Sequence, residues 1–214
     1  MDDAGLIIFD NDGVLVDSER LSNSILARLL TEQGLTLTTE QSIERYLGST
    51  MARVRALAED ELGAPLPPDL FERYHEELYG RMGTELVAVP GIADVLMALA
   101  DRSRCVASSG EPARIRRSLT VTGLIGEFDE DRLFSAAEVE RGKPAPDLFL
   151  HAARCCGVRP DDCVVVEDSP AGVTAARAAG MRVIGFASLT PAALLGEADV
   201  VVDGADGLYR ALRS

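Results

Sequence analysis

Asp10 and Asp12, two carboxylates one residue apart, follow four apolar residues in the segment Leu6-Ile7-Ile8-Phe9-Asp10-Asn11-Asp12-Gly13-Val14-Leu15-Val16-Asp17-Ser18. A short continuous apolar run predicts a parallel strand buried on both faces, and Gly13 allows a sharp turn after it. The acids then stand at the carboxyl end of a strand, where open α/β sheets bind ligands. That is a position for chemistry. Asp and Asn before Gly also suit an ordinary capped turn, so the rest of the chain has to decide.

Three more clusters fall where a strand meets a loop or helix. In Val106-Ala107-Ser108-Ser109-Gly110-Glu111-Pro112 a strand ends in hydroxyls, and Pro112 sits where a helix would begin. A helix amino terminus beside a serine hydroxyl suits a phosphate, whereas Ser109 as a plain N-cap explains that loop equally well. Glu140-Arg141-Gly142-Lys143-Pro144-Ala145-Pro146 holds Lys143 between Gly and Pro, which lets its stem project into a cleft. Every other basic residue of the chain is arginine, so this ammonium stands out as a compact point charge for a phosphoryl oxygen and its attacker. Pro after the lysine and the missing G-x-x-x-x-G-K-[ST] pattern exclude a Walker loop. Val164-Val165-Val166-Glu167-Asp168-Ser169-Pro170 is a second apolar run ending in acids. Asp10 and Asp168, from two strand ends, would suit Mg²⁺, which prefers oxygen ligands and keeps waters. Asp168 as a mere helix cap is the competing reading. An EF-hand fails because Gly13 comes at loop position four and no glutamate stands at position twelve.

The elements that must carry these clusters can be read from periodicity. From Ser18 to about Glu85 no strand-like run occurs. Leu21, Ile25, Leu29 and Leu30 recur at helical spacing up to Gly34, and further helices are expected at about 40–46, 51–62 and 68–82, broken at Gly48 and Pro65-Leu66-Pro67-Pro68. This predicts an all-helical cap domain at 17–86, inserted into a core of 1–16 and 87–214. After Val87-Ala88-Val89-Pro90-Gly91 helix and strand alternate: helices at 92–102, 112–123, 147–157 and 171–179, strands at 104–108, 133–135, 163–167, 182–186 and 199–202. Such alternation predicts an α/β fold with a Rossmann-like parallel-sheet core.

Composition narrows the function. A formal charge of −14 argues against nucleic acid and anionic membranes as partners, and it repels an anionic substrate unless local cations reverse the field. No apolar stretch reaches membrane-span length, and the start Met1-Asp2-Asp3 is acidic where a signal peptide is basic. Cys105, Cys155, Cys156 and Cys163 lack C-x-x-C spacing. The expectation is a cytoplasmic protein with reduced thiols.

D-x-D-G-x-x-x-D-S at 10–18, S-S-G at 108–110, G-K-P-x-P at 142–146 and E-D-S-x-x-G at 167–172 together resemble the four motifs of the haloacid dehalogenase superfamily, in order along nearly the whole chain. The helical insertion after the first motif resembles the β-phosphoglucomutase-like branch, with its mobile cap. The resemblance implies that Asp10 is a nucleophile forming an aspartyl phosphate and Asp12 the acid/base that protonates the leaving oxygen and then activates water. It further implies that Ser108, Ser109, Gly110 and Lys143 hold the phosphoryl group, Lys143 also serving catalysis. Asp10, Asp168, Glu167 and the backbone carbonyl of Asp12 would hold Mg²⁺. A carboxylate attacking a phosphoryl dianion needs cations to cancel the repulsion, which fits a metal and Lys143.

Dehalogenases of the superfamily lack the second aspartate, and phosphonate hydrolysis uses a cap lysine that is missing here. The mutases place basic residues where Tyr46-Leu47-Gly48-Ser49-Thr50-Met51 has Leu47 and Met51, His where this chain has Ser22, and a Ser-Lys pair in place of Gly110 and Glu111. The reading is therefore a phosphatase of a small phosphorylated metabolite. Asp131-Arg132-Leu133-Phe134-Ser135 before the lysine motif is similar to phosphatases of sugar acids and polyols. A sugar phosphomutase and a catalytically silent metal-binding regulator are the alternatives. Arg53, Arg114 and Arg117 are candidates to reach a substrate, although their helical spacing fits a solvated face better. Glu111 could accept a sugar hydroxyl or only favour a helix start. A monomer is expected, since the cap must open and close.

Overall fold

The computed structural model describes every residue of the chain except Asp2, Gly48 and Thr50. Its residues fall into two compact units, Met1–Val16 with Val87–Ser214, and Asp17–Leu86.

In the first unit, β1 (Leu6–Phe9), β2 (Arg104–Ser108), β3 (Leu133–Ser135), β4 (Cys163–Glu167), β5 (Arg182–Phe186) and β6 (Val200–Val202) form a parallel sheet in the order β3-β2-β1-β4-β5-β6. β1 and β4 are apolar without alternation because both faces are covered, and β1 is buried throughout. Leu6, Ile8, Cys105, Cys163 and Val165 pack with Leu148, Phe149 and Ala152 on one side. The intervening Ile7, Phe9, Val106, Val164 and Val166 are equally buried, and the Phe9 ring meets Phe128 edge to face. The strand order reverses direction about β1, so the crevice beyond the carboxyl ends of β2, β1 and β4 is the binding position of this architecture.

The second unit contains α1 (Ser18–Glu32), α2 (Thr39–Tyr46), α3 (Met51–Leu62) and α4 (Leu70–Glu85). Asp17 caps α1 by accepting from the Arg20 N–H at 3.0 Å. Thr38 and Gln41 form a capping box on α2. Ile25, Leu29 and Leu30 of α1 are buried where α1 packs on α2 and α4. The chain returns to the sheet unit through Val89, whose N–H donates to the Leu15 carbonyl at 3.0 Å. Gly48, expected as a helix break, and Thr50 lie outside the described residues.

The remaining helices are α5 (Ile92–Ala98), α6 (Pro112–Val121), α7 (Asp147–Cys155), α8 (Pro170–Ala178) and α9 (Gly204–Leu212). α5 stops four residues short of the expected end, where the Leu99 N–H turns to both the Val95 and Leu96 carbonyls. β6 begins one residue later than expected, at Val200. α9 is absent from the sequence reading. Its opening, Gly204-Ala205-Asp206-Gly207, has turn composition, and tertiary burial of Leu208, Ala211 and Leu212 outweighs that local preference. Among the described residues no helix is long and apolar enough to cross a membrane.

Candidate active site

β1 ends at Phe9, and the Asp10 N–H still donates to the Val166 carbonyl of β4 at 3.0 Å, so the main chain of Asp10 is held by the sheet. Its side chain meets Lys143, which enters from the loop between β3 and α7. Lys143 Nζ donates to Asp10 Oδ1 at 2.7 Å, to Glu167 Oε1 at 2.5 Å and to the Ala107 carbonyl at 3.3 Å. The Lys143 side chain is only 6% exposed, and its ammonium lies 5.1 Å from the Phe149 ring centroid. The Lys143–Pro144 peptide is cis. All three ammonium protons thus have acceptors.

Glu167, the last residue of β4, is fully buried. One carboxylate oxygen takes the lysine; the other accepts from Ser169 N–H and Oγ, each at 2.9 Å. Ser169 in turn caps α8 by accepting from Gly172 N–H at 3.0 Å. This stacking explains the glycine. A Cβ on Gly172 would overlap the Glu167 carboxylate. Gly172→Ala should therefore displace Glu167, lowering stability by about 1–3 kcal/mol, as overpacking does, and lowering turnover as Lys143 loses its anchor. Melting temperature and steady-state rates of that variant check this, with Ala171→Gly, which adds no atoms, as the control.

Burial governs the electrostatics. Desolvation pushes Asp10 up to about 7 from a usual 3.8; Lys143 opposes the shift and Glu167 adds to it. Burial alone would push Lys143 down, but the carboxylates of Asp10 and Glu167 outweigh it and hold the ammonium above its ordinary value. Asp10, Glu167 and Asp168 each bring a carboxylate oxygen within 4.8 Å of the others. Gly13, at φ 80°, makes room for Asp168, whose carboxylate would collide with any Cβ there. Oxygen donors converging on one point fit a hard cation such as Mg²⁺.

Asp12 Oδ1 accepts from Arg114 Nη2 at 2.7 Å, and Oδ2 accepts from Asn11 Nδ2 at 3.3 Å. Ser108, at the end of β2, is buried, and its Oγ accepts from the Gly110 N–H at 3.0 Å. The Gly110 carbonyl accepts from Ser135 Oγ at 2.7 Å, which ties the loop to β3.

A family model for haloacid dehalogenase-like hydrolases matches residues 7–186. The chain belongs to this family. The 6-phosphogluconate phosphatase of Escherichia coli (strain K12) is 32% identical to this hydrolase over 181 residues, covering 84% of this chain and 81% of that one. A haloacid dehalogenase family hydrolase of Deinococcus radiodurans, whose crystal structure holds phosphate and sodium, superposes with a TM-score of 0.88 at 31% identity, covering 99% of this chain and 96% of the other. A Thermotoga maritima protein described as a β-phosphoglucomutase gives a TM-score of 0.74 at 28% identity, covering 92% and 94%. The chain is a hydrolase of phosphate monoesters with the Rossmann-like α/β architecture of the haloacid dehalogenases.

Within this haloacid dehalogenase-like hydrolase, Asp10, Lys143, Glu167 and Asp168 come together. Asp168 is not the cap of α8, since Ser169 fills that place. Nor does Ser109 cap α6; it is exposed, and Glu111 takes the cap position without a side-chain bond. Both oxygens of Glu167 are already bonded to Lys143 and Ser169, so this acid orients the lysine as much as it borders the acidic cluster. Arg53 and Arg117 are exposed. Arg114 pairs with Asp12, a partner 102 positions away that helical spacing could not reveal. Among the cysteines, which are free, Cys105 and Cys163 are buried.

Proposed function

We propose that this hydrolase is a Mg²⁺-dependent phosphatase of a phosphorylated sugar, sugar acid or polyol, working through an aspartyl phosphate on Asp10. The observation that carries this reading is a buried carboxylate at the carboxyl end of β1, held 2.7 Å from the ammonium of Lys143 beside a cluster of acids. Asp10 attacks phosphorus, and the ester oxygen leaves with a proton from Asp12. Asp12 then takes a proton from the water that attacks the aspartyl phosphate, returning Asp10 and releasing phosphate. Lys143 neutralises charge on the transferring group, and the Ser108 hydroxyl with neighbouring backbone N–H groups holds its oxygens. Bound to Asp10, Asp168 and the Asp12 carbonyl, with Glu167 adjoining, Mg²⁺ would supply Lewis-acid neutralisation of the phosphoryl oxygens. The substrate class follows the 6-phosphogluconate phosphatase relative and the segment Asp131–Ser135.

The Thermotoga neighbour favours a second reading, a sugar phosphomutase. Ser22 speaks against it, because the position that mutases give to histidine is a serine whose Oγ lies 2.6 Å from Tyr74 OH. Incubation with a panel of sugar, sugar-acid, polyol and nucleotide monophosphates, with Mg²⁺ or with chelator, should release phosphate only with metal and fastest from the first three classes. No Mg²⁺-dependent release from any of them would sink the phosphatase. A sugar 1-phosphate supplied with catalytic bisphosphate, yielding 6-phosphate faster than free phosphate, would establish the mutase instead.

On this reading metal binding should also vary with pH. Without metal the folded chain favours the acid form of Asp10, so between 3.8 and about 7 it binds more protons than the unfolded chain. The contribution of Asp10 to metal-free stability therefore falls as pH rises through that window. Mg²⁺ needs the carboxylate and displaces the proton. The rise in melting temperature on adding Mg²⁺ should accordingly be larger at pH 7.5 than at pH 5, with proton release seen by calorimetry in buffers of different ionisation enthalpy. Equal stabilisation at both pH values would remove Asp10 from the metal site.

A further inference from the structure

We propose that Arg114 is a positioning residue for proton transfer, holding the Asp12 carboxylate where it meets the leaving oxygen. This rests on the reading of Asp12 as the acid/base. Arg114 and Ser118 stand one helical turn apart on α6 and point at consecutive residues of the loop after β1. Arg114 Nη2 takes Asp12 Oδ1 at 2.7 Å. Ser118 Oγ shares its one proton between the Ile115 carbonyl at 2.8 Å and Asn11 Oδ1 at 3.1 Å, and Asn11, itself fully buried, donates through Nδ2 to Asp12 Oδ2 at 3.3 Å. Each oxygen of Asp12 is thus tied to the same helix face, one directly and one through a buried relay. Neither bond comes from the elements that hold Asp10.

Arg114 is built for this contact. Its Nε is buried and has no hydrogen-bond partner among the described residues, and the side chain is 35% exposed, so the guanidinium is partly desolvated against the Asp12 carboxylate. Desolvation strengthens a charge-assisted bond and fixes its direction. Lys143 cannot take over the task, since its protons are committed to Asp10, Glu167 and Ala107. An acid/base must lie within hydrogen-bond reach of the proton it moves, so a carboxylate free to rotate would transfer it less often.

The role has a signature that phosphate binding or general stability would not give. Proton donation matters most when the departing alcohol is a poor leaving group. Arg114→Ala should lower kcat/KM for alkyl phosphate monoesters by about 10- to 100-fold, part of the roughly 10²–10⁴ that proton transfer contributes, while p-nitrophenyl phosphate changes by less than about threefold. The dependence of kcat/KM on leaving-group pKa should steepen as it does in Asp12→Asn, and Arg114→Ala added to Asp12→Asn should cost little more. Arg114→Lys should recover part of the loss, and the inhibition constant of inorganic phosphate should stay unchanged. A uniform loss across the series, weaker phosphate inhibition, or losses that add to those of Asp12→Asn would overturn the proposal. If Asp12→Asn steepens the dependence and Arg114→Ala does not, Arg114 has no positioning role; if Asp12→Asn itself leaves it unchanged, the assignment of Asp12 falls, and this proposal with it.

Discussion

Asp10→Asn should reduce kcat by about 10⁴- to 10⁶-fold, as removal of a covalent nucleophile does when its supporting groups remain. Asparagine has nearly the same shape and can still face Lys143, but its neutral amide is too weak a nucleophile to form the acyl phosphate. The fold should survive, because burial already disfavours the carboxylate it replaces, whose pKa is pushed up to about 7 even with Lys143 beside it. The variant should therefore melt cooperatively near the wild type while losing its stabilisation by Mg²⁺. Acid quenching of the wild-type reaction should leave a phosphoryl increment on the peptide carrying Asp10, detectable by mass spectrometry. Residual activity at a tenth of the wild type, or a label on another peptide, would mean that a different group or a water molecule makes the attack.

Lys143→Met should damage stability and activity together. The lysine is the shared counter-ion of Asp10 and Glu167, and all three side chains are nearly closed to solvent. Removing one partner of a buried ion pair leaves uncompensated charge and costs about 3–5 kcal/mol, which for a protein of this size corresponds to roughly 10 °C in melting temperature. Turnover should fall by about 10²–10³-fold, in the range found when one preorganised charge-stabilising donor is removed. Adding Glu167→Gln to Lys143→Met should restore part of the stability, since one buried charge disappears, and none of the turnover. Chelator-treated protein gives the clearest comparison, because a bound metal would itself neutralise Asp10. A double variant less stable than Lys143→Met would show that the Glu167 bonds to Ser169, and not the ion pair, dominate this corner.

The strands that bear the chemistry were legible in the sequence because a parallel strand covered on both faces leaves an unbroken apolar run, as Leu6–Phe9 does and as β4 does up to its terminal Glu167. The residues that end them were equally plain. What stayed hidden depends on contacts distant in sequence. Arg114 looked like one solvated arginine among several until α6 brought it to Asp12. Glu167 and Asp168 stood side by side as acids for the metal, yet β4 ends between them and their surroundings differ. The first is sealed beneath Gly172 and the second opens toward Gly13. α9 was missed because three buried positions in nine residues are a faint periodic signal behind a Gly-rich start.

β1 has partners on both edges and close-packed side chains on both faces, whereas the edge strand β6 is partly open, with Val200 40% exposed. Amides of a strand so enclosed exchange with solvent only when the whole domain opens, while edge strands fray locally. The carboxylate read as the nucleophile is therefore mounted at the end of what should be the slowest-exchanging segment of the molecule. That mount belongs to the sheet unit, and the inserted helices of 17–86 form a compact unit of their own.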